Sequence, residues 1–237
     1  MSIIAQQSGN IQYAGVHAQL ITDVGILTNR PDLTAEIGLA VRKATIKAHQ
    51  ADFWLGDLQV VPQYALPAPT VDTAQITSRY TINLVDSVNF PRLRKVAYIR
   101  PYVAPNGTVA AASGWETLVA NYGVPNGARN YSEKSAALIM DSYGVESTNY
   151  WYQAGMQVLL RINAPIAYVV IGYYNTPDVT EVNYNSWIAA QFPHLIVEEA
   201  ASQVFRMIGK LDESAAYGKA WGENLHQLMM SQINSGV

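Results

Sequence analysis

The sequence contains no cysteine, and this absence excludes disulfide bonds, thiolate metal sites and cysteine nucleophiles together. Charged residues are also scarce: they make up 14% of the 237 residues, whereas about a quarter is usual in globular proteins. Much of the surface must therefore be neutral. Such a surface is typical of proteins that bury large permanent interfaces.

Long apolar runs and a surplus of basic residues are missing as well. No uninterrupted apolar segment approaches the roughly 18 residues that suggest a transmembrane helix, so we expect no membrane partner. The opening segment MSIIAQQSGN lacks the charged and apolar regions of a signal peptide. A net charge of −3 argues against a dedicated nucleic-acid-binding protein, because neutralising phosphates needs an excess of Lys and Arg.

The sequence motifs of common enzymes are absent too. There is no GxSxG, P-loop or GxGxxG motif, and the histidines are far apart with no HExxH spacing. Glu198 and Glu199 are adjacent on a predicted helix, where neighbouring side chains do not face each other, so they do not form a proton-sharing pair. We therefore predict no catalytic residue, no metal site and no cofactor.

Apolar residues recur every three or four positions in three segments, which predicts helices. The first runs from Asp32, the expected N-cap, to about Leu55. The second covers residues 186–209 and stops at Gly209, and the third begins at Asp212. Helices are therefore expected towards both ends of the chain.

The middle of the chain has the pattern of strands. Apolar and polar residues alternate over residues 73–84. Residues 94–100, 157–163 and 166–174 are rich in β-branched and aromatic side chains, and a short Ala-Pro turn predicts that the last two form a hairpin. These patterns predict an α+β fold, in which a helical bundle from the N- and C-terminal segments accompanies a central, mainly antiparallel β-sheet subdomain.

This order of segments predicts three parts. Residues 1–30 form an N-terminal arm, residues 31–72 and 184–237 form the helical bundle, and residues 73–183 form the β-rich subdomain. Two Pro-Asn-Gly turns in a poorly periodic stretch predict a long loop at 103–131 within that subdomain.

The helix over residues 186–209 has more apolar surface than one partner needs. Its apolar side chains cover roughly half of the helix circumference, whereas a stripe that faces a core needs about 100°. Either its own domain or a neighbouring subunit could cover the excess. We assign Val197, Ala201 and Phe205 to the helical core or to a subunit contact.

One concentration of basic residues lies on a predicted strand. Strict alternation would place Arg92, Arg94 and Arg100 on one face of that strand and Lys95 on the other. Two interpretations remain: a charged sheet face that pairs with acids on a neighbour, or a surface that contacts the DNA backbone.

The order of four segments resembles the head-to-tail adaptor, or neck connector, proteins of tailed bacteriophages. The resemblance covers residues 33–213 and depends on the order of segments, with no catalytic motif. The segments are AVRKATIKAHQADFWLGDL, NFPRLRKVAYIRPY, DSYGVESTNYWYQAGMQVLLRI and YYNTPDVTEVNYNSWIAAQFPHLIVEEAASQVFRMIGKLDE.

The resemblance implies a structural virion protein of the phage neck, which assembles in the host cytoplasm. It implies a ring, usually a dodecamer, that docks on the portal protein, gives a platform to a tail or nozzle protein and lets double-stranded DNA pass through its channel. The C-terminal segment of such adaptors commonly attaches to the portal, so the resemblance assigns the portal contact to Leu228, Met229 and Met230.

A different class of function remains open from the residues. The chain has 15 tyrosines and five tryptophans, and aromatic side chains on a sheet can stack on sugars. The alternative is therefore a carbohydrate-binding or cell-wall-degrading module with a carboxylate pair for hydrolysis.

Overall fold

A computed structural model of the chain describes residues 15–72, 77–102, 131–134, 149–162, 166–180 and 183–235. It confirms the predicted α+β fold, with five α-helices and eight β-strands in this described part. The chain divides into two compact units. Met1–Asp57 and Thr176–Val237 form the helical unit, and Leu58–Asn175 forms the β unit.

The helical unit is built around one central helix, α4, which contacts each of the other four. Its elements in chain order are α1 (Val16–Thr28), α2 (Thr34–Gln50), a 3₁₀ turn (Leu55–Asp57), α3 (Trp187–Gln191), α4 (Pro193–Met207) and α5 (Leu211–Ser235).

Small residues let α2 approach its neighbours closely. Ala40, Ala44 and Ala48 recur every four residues on α2, and all three are buried in the core of the helical unit. The predicted helix is therefore confirmed, but its predicted N-cap is wrong. The helix begins at Thr34, and the Asp32 carboxylate instead accepts two hydrogen bonds from Arg30, at 2.8 and 2.7 Å.

The turn between α4 and α5 follows the sequence prediction. Gly209 has φ of +80°, the left-handed conformation that favours glycine after a helix. Beyond the turn the two helices are joined by reciprocal hydrogen bonds, because the hydroxyls of Ser202 and Ser214 each donate to the other residue's carbonyl oxygen at 2.8 Å.

The β unit contains two sheets. Its strands are β1 (Leu58–Ala65), β2 (Thr70–Asp72), β3 (Thr77–Asn83), β4 (Leu93–Pro101), β5 (Ser132–Glu133), β6 (Tyr150–Ala154), β7 (Gln157–Ile162) and β8 (Tyr168–Asn175). One sheet has the order β1-β8-β4 and the other β2-β3-β7-β6-β5. Among these described pairings only β5 with β6 is parallel.

The predicted hairpin of β7 and β8 is wrong, because the two strands lie in different sheets. Five consecutive residues of β8, 169–173, are buried, so this strand is covered on both faces and has a partner on each edge. The sheets share one core, in which Leu160 of β7 and Ile171 of β8 belong to the same apolar cluster. The Tyr80 hydroxyl fixes the chain just before β8 by hydrogen bonds to the N–H and C=O groups of Ile166.

The predicted division of the chain also needs correction. Within the predicted arm, residues 16–28 form α1, because Leu20 and Val24 pack into the helical core. The unit boundaries lie at 57/58 and 175/176, where the prediction placed them at 72/73 and 183/184. The early boundary follows from pairing, since β1 pairs with β8 and β2 with β3. Of the predicted loop at 103–131, residues 103–130 lie outside the described residues.

Candidate functional site

The most chemically distinctive group of side chains lies in the interior of the helical unit. It comprises His49 from the last turn of α2, Asp57 from the end of the 3₁₀ turn, and Ser186 and Trp187 from the start of α3; we call it the His49 cluster. The exposed fractions of His49, Asp57 and Ser186 are 0%, 3% and 1%. Polar groups buried to this extent require hydrogen-bond partners.

The partners are all present. His49 Nδ1 lies 2.8 and 2.9 Å from the two carboxylate oxygens of Asp57, and Nε2 lies 2.9 Å from Ser186 Oγ. Trp187 Nε1–H donates to Asp57 Oδ1 at 2.9 Å, and the Ala189 N–H donates to Ser186 Oγ at 3.0 Å.

For a neutral imidazole ring, these contacts fix the direction of each hydrogen bond. The Asp57 carboxylate can only accept, so the Nδ1 atom of His49 carries a proton and donates it. Ser186 Oγ accepts from Ala189 and gives its own proton to His49 Nε2. The donor chain thus runs from Ser186 through His49 to Asp57, and each of these groups is satisfied.

Serine hydrolases use the same order of groups, but this one is not arranged for attack on a substrate. A nucleophile must be reachable, whereas Ser186 is 1% exposed and its Oγ caps α3. Two surface grooves are found on the described part of the helical unit, and the residues that line them include neither His49 nor Ser186. The cluster therefore stabilises the fold by joining α2, the 3₁₀ turn and α3.

A second contact beside the cluster follows the same spacing. Thr45 lies four residues before His49 on α2, and its hydroxyl is hydrogen-bonded to the Tyr184 hydroxyl, two residues before Ser186. Four helical residues rise about 6 Å, and two extended residues span about 6.6 Å, so the two pairs are in register. Burial raises the pKa of Tyr184 to about 12, although the hydrogen bond with Thr45 acts in the opposite direction.

The Trp187 ring closes the cluster from the side of the 3₁₀ turn. It lies edge-on to His49 and to Trp54, with ring centroids 6.0 and 6.1 Å apart. A side chain on Gly56 would come within 2.7 Å of the Trp187 ring. Only glycine at this position lets the indole lie against the turn.

A second polar group lies between α2, α4 and α5. The buried Glu199 carboxylate forms an ion pair with Lys47 at 2.7 Å and accepts a hydrogen bond from Gln203 at 3.0 Å. Glu198 instead accepts two hydrogen bonds from Asn224 of α5 at 2.9 Å. The adjacent carboxylates thus have different partners and hold α4 to different neighbours.

The residues assigned to the helical core or to a subunit contact lie inside the helical unit. Ala201 and Phe205 are buried, Val197 is partly buried against the core of the helical unit, and Phe205 stacks on Tyr217 of α5 with a centroid distance of 5.4 Å. Contacts of α4 with the other helices cover much of the wide apolar arc, but Met207 at its C-terminal end is 53% exposed. Packing within the chain therefore accounts for the burial of these side chains.

The residues assigned to the portal contact differ in exposure. Leu228 is buried in the helical core and Met229 packs against that core, whereas Met230 is 46% exposed. Only Met230 of the three therefore presents a largely accessible side chain.

The predicted arrangement of the basic strand is wrong. Lys95 pairs with Tyr174 and Arg100 with Val170, positions four residues apart on β8, so Lys95 and Arg100 share one face. Two register shifts in β4 break the alternation on which the prediction depended. Arg92 and Arg100 are exposed and Arg94 is partly buried, while Arg100 lies over the Tyr98 ring at 5.6 Å.

Sequence reasoning missed the His49 cluster, because its members are separated by eight and 137 residues. One usable signal was Ser186, a residue typical of an N-cap at the start of a predicted helix.

Across the described stretches of the chain, no three His, Asp or Glu side chains gather as metal ligands, and no helix is long and apolar enough to cross a membrane.

Comparison with known proteins leaves the family open. No family model matches the sequence, and a search of curated proteins gave no match. The function is therefore inferred from the residues of the chain and from the order of its segments.

Proposed function

We propose that this chain is a ring-forming adaptor of the phage neck, which docks on the portal, extends the DNA channel and gives a platform to the tail. The order of segments over residues 33–213 suggests this class, and the surface of the helical unit supports it. The observation offered for the proposal is that two shallow surface grooves with different linings lie on different helices of that unit.

The first groove, the α2/α4 groove, has a volume of about 240 Å³. It is lined by Leu39 and Ala40 of α2 and by Val204 and Met207 of α4, with Glu36, Lys43 and Gln203 completing the lining. Leu39 and Met207 are 45% and 53% exposed, so large apolar side chains face the solvent here. Clustered exposed apolar residues often mark a binding surface.

The second groove, the α1/α3 groove, has a volume of about 430 Å³. Val16, Gln19, Leu20 and Asp23 of α1 line one side, and the other side includes Ala189 of α3. The two grooves are built from different helices and have different linings. A closed ring needs two unlike faces of this kind, because each subunit contacts its two neighbours through different surfaces.

The chemistry of the chain agrees with a structural role. The only Ser–His–Asp hydrogen-bond network that we find in the described part is buried inside the helical unit, where it joins helices. The sequence has 15 basic and 18 acidic residues, so a channel built from it would not hold DNA tightly. Within this proposal, Arg92, Arg94 and Arg100 face the channel or the DNA.

The remaining details of the proposal come from the resemblance. The ring is a dodecamer in the virion neck, it assembles in the host cytoplasm, and a tail or nozzle protein follows it. We place the portal contact at the end of α5, where Met230 is exposed. Methionine suits such a contact because its flexible side chain adapts to irregular grooves.

Sedimentation of the purified protein tests the proposal against the carbohydrate-binding alternative. The chain is mixed with the portal ring of the same phage in one experiment and with peptidoglycan fragments in another. We expect the chain to co-sediment with the portal and not to bind the peptidoglycan fragments. Binding to peptidoglycan without binding to the portal would favour the alternative.

A further inference from the structure

The His49 cluster joins two segments of the helical unit that the β unit separates in the sequence. The chain leaves the helical unit after Asp57 and returns to it at Thr176. His49 and Asp57 belong to the outgoing segment, and Ser186 and Trp187 belong to the returning one. We propose that the His49 cluster is a latch, through which the outgoing and returning segments open and close as one cooperative unit.

The hydrogen bonds make the two segments depend on each other. Asp57 accepts from the Nδ1 atom of His49 in its own segment and from the Nε1 atom of Trp187 in the returning one. Ser186 Oγ in turn holds His49 Nε2 and the Ala189 N–H. Separation of the segments therefore removes these bonds from groups that are buried, which is far more costly than losing them in water.

Aromatic packing adds a second link between the segments. The Trp187 ring lies against Gly56, His49 and Trp54. The turn beneath it is held by two hydrogen bonds, from Trp54 Nε1 to the Ala48 carbonyl and from the Asp57 N–H to the Trp54 carbonyl, both at 2.9 Å. The turn cannot unwind beneath Trp187 without displacing the ring that covers it.

Two backbone amides report the state of the latch, one in each segment. The Asp57 N–H bonds to Trp54 in the outgoing segment, and the Ala189 N–H bonds to Ser186 in the returning segment. If the segments open together, a change in one segment must alter hydrogen exchange in the other, because coupling between two sites is reciprocal. Independent segments would show only local changes.

Native-state hydrogen exchange of the full chain tests the latch. In the unmodified protein we expect the Asp57 and Ala189 amides to exchange at matching protection factors, and faster than the Val41 amide in the middle of α2. We expect Ser186→Ala to accelerate exchange of the Asp57 amide by about tenfold or more, as loss of a buried hydrogen-bond partner implies. Unchanged exchange at Asp57, or protection equal to that of Val41, would overturn the proposal.

Two further variants complete the test. Trp187→Phe keeps an aromatic side chain but removes the indole N–H that Asp57 accepts and part of the ring that packs against Gly56. It should accelerate exchange at the Asp57 amide in the outgoing segment, and it also serves if Ser186→Ala does not fold. Thr180→Ala is the matched control, because the Thr180 hydroxyl accepts from the Asn183 N–H at 2.9 Å on the returning segment, outside the cluster. It should leave the Asp57 amide unchanged, and an equal acceleration there would contradict a specific latch.

Discussion

The Nε2 atom of His49 lies 2.9 Å from the hydroxyl of Ser186, although 137 residues separate them in the sequence. The β unit occupies most of that interval. The helical unit is therefore made from two segments that meet only after the β unit has been traversed. Buried hydrogen bonds between such segments favour one arrangement of the two segments, and they do so more specifically than apolar packing alone.

Ser186→Ala should lower the free energy of unfolding by about 1–3 kcal/mol, because His49 Nε2 loses its buried donor and α3 loses its cap. Denaturant unfolding followed by circular dichroism measures this change. Ser87→Ala, at an exposed position of the β unit, is the control and should change stability by less than about 0.5 kcal/mol. Equal, small effects of both variants would contradict the structural role of the cluster.

Replacing each of two glycines with alanine should change the stability of the protein in opposite directions. A side chain on Gly172 of β8 would overlap the Tyr98 ring, so Gly172→Ala should destabilise the protein by about 1–3 kcal/mol. Gly222 in α5 has open space around it, so Gly222→Ala should stabilise by about 0.5–1 kcal/mol. Thermal unfolding separates the two, and a stabilising Gly172→Ala would show that Tyr98 does not lie over β8 as described.

Tyr184 should make the helical unit sensitive to high pH. Its pKa in the folded state is raised to about 12, while an unfolded tyrosine titrates near pH 10. Unfolded chains thus lose the proton first, so the stabilising contribution is complete below pH 10 and is lost as the pH rises towards 12. By pH 11 the loss should be about 1 kcal/mol.

The Tyr184→Phe variant isolates this contribution from other alkaline effects. It has no proton to lose, so its free energy of unfolding should fall less steeply than that of the unmodified protein between pH 9.5 and about 11. Denaturant titrations at several pH values give both curves. Parallel curves would mean that the Tyr184 hydroxyl is not buried.

Two neighbouring residues on α4 should separate folding from assembly. Phe205→Asp places a carboxylate in the buried contact with Tyr217 and should cost several kcal/mol, so the chain should unfold. Met207→Asp changes an exposed residue of the α2/α4 groove, so the chain should stay folded but fail to join its neighbours. Circular dichroism reports the first property and sedimentation with the portal the second.

The control for Met207→Asp is Ala216→Asp, at an exposed position of α5 outside both grooves. It should remain folded and assemble normally. If Met207→Asp also assembled with full affinity, the α2/α4 groove would not be a subunit contact.

Local features of the fold were predictable where periodicity and turn chemistry decide them. The alanine stripe of α2 and the stop at Gly209 follow from the sequence alone. The partner of a strand cannot be predicted in this way, because alternation shows that one face of the strand is buried without showing what covers it. For this reason β7 and β8 were paired wrongly, and the bulges in β4 placed Lys95 on the same face as Arg100.

The candidate site was harder to predict than the fold. His49 lies on α2 among residues whose pattern is set by apolar packing, and nothing local indicates that its partners are Asp57 and Ser186. Networks of buried polar groups depend on tertiary contacts, which single-sequence periodicity does not contain. The N-cap role of Ser186 was visible locally, but its bond to His49 was not.

Electron microscopy of the chain mixed with the portal ring tests the central claim most directly. Negative-stain images should show a closed ring of this protein stacked on the portal, with a continuous central channel and the same rotational symmetry in each class average. A chain that remains a monomer beside unoccupied portals, at concentrations well above those in an assembling virion, would contradict the account.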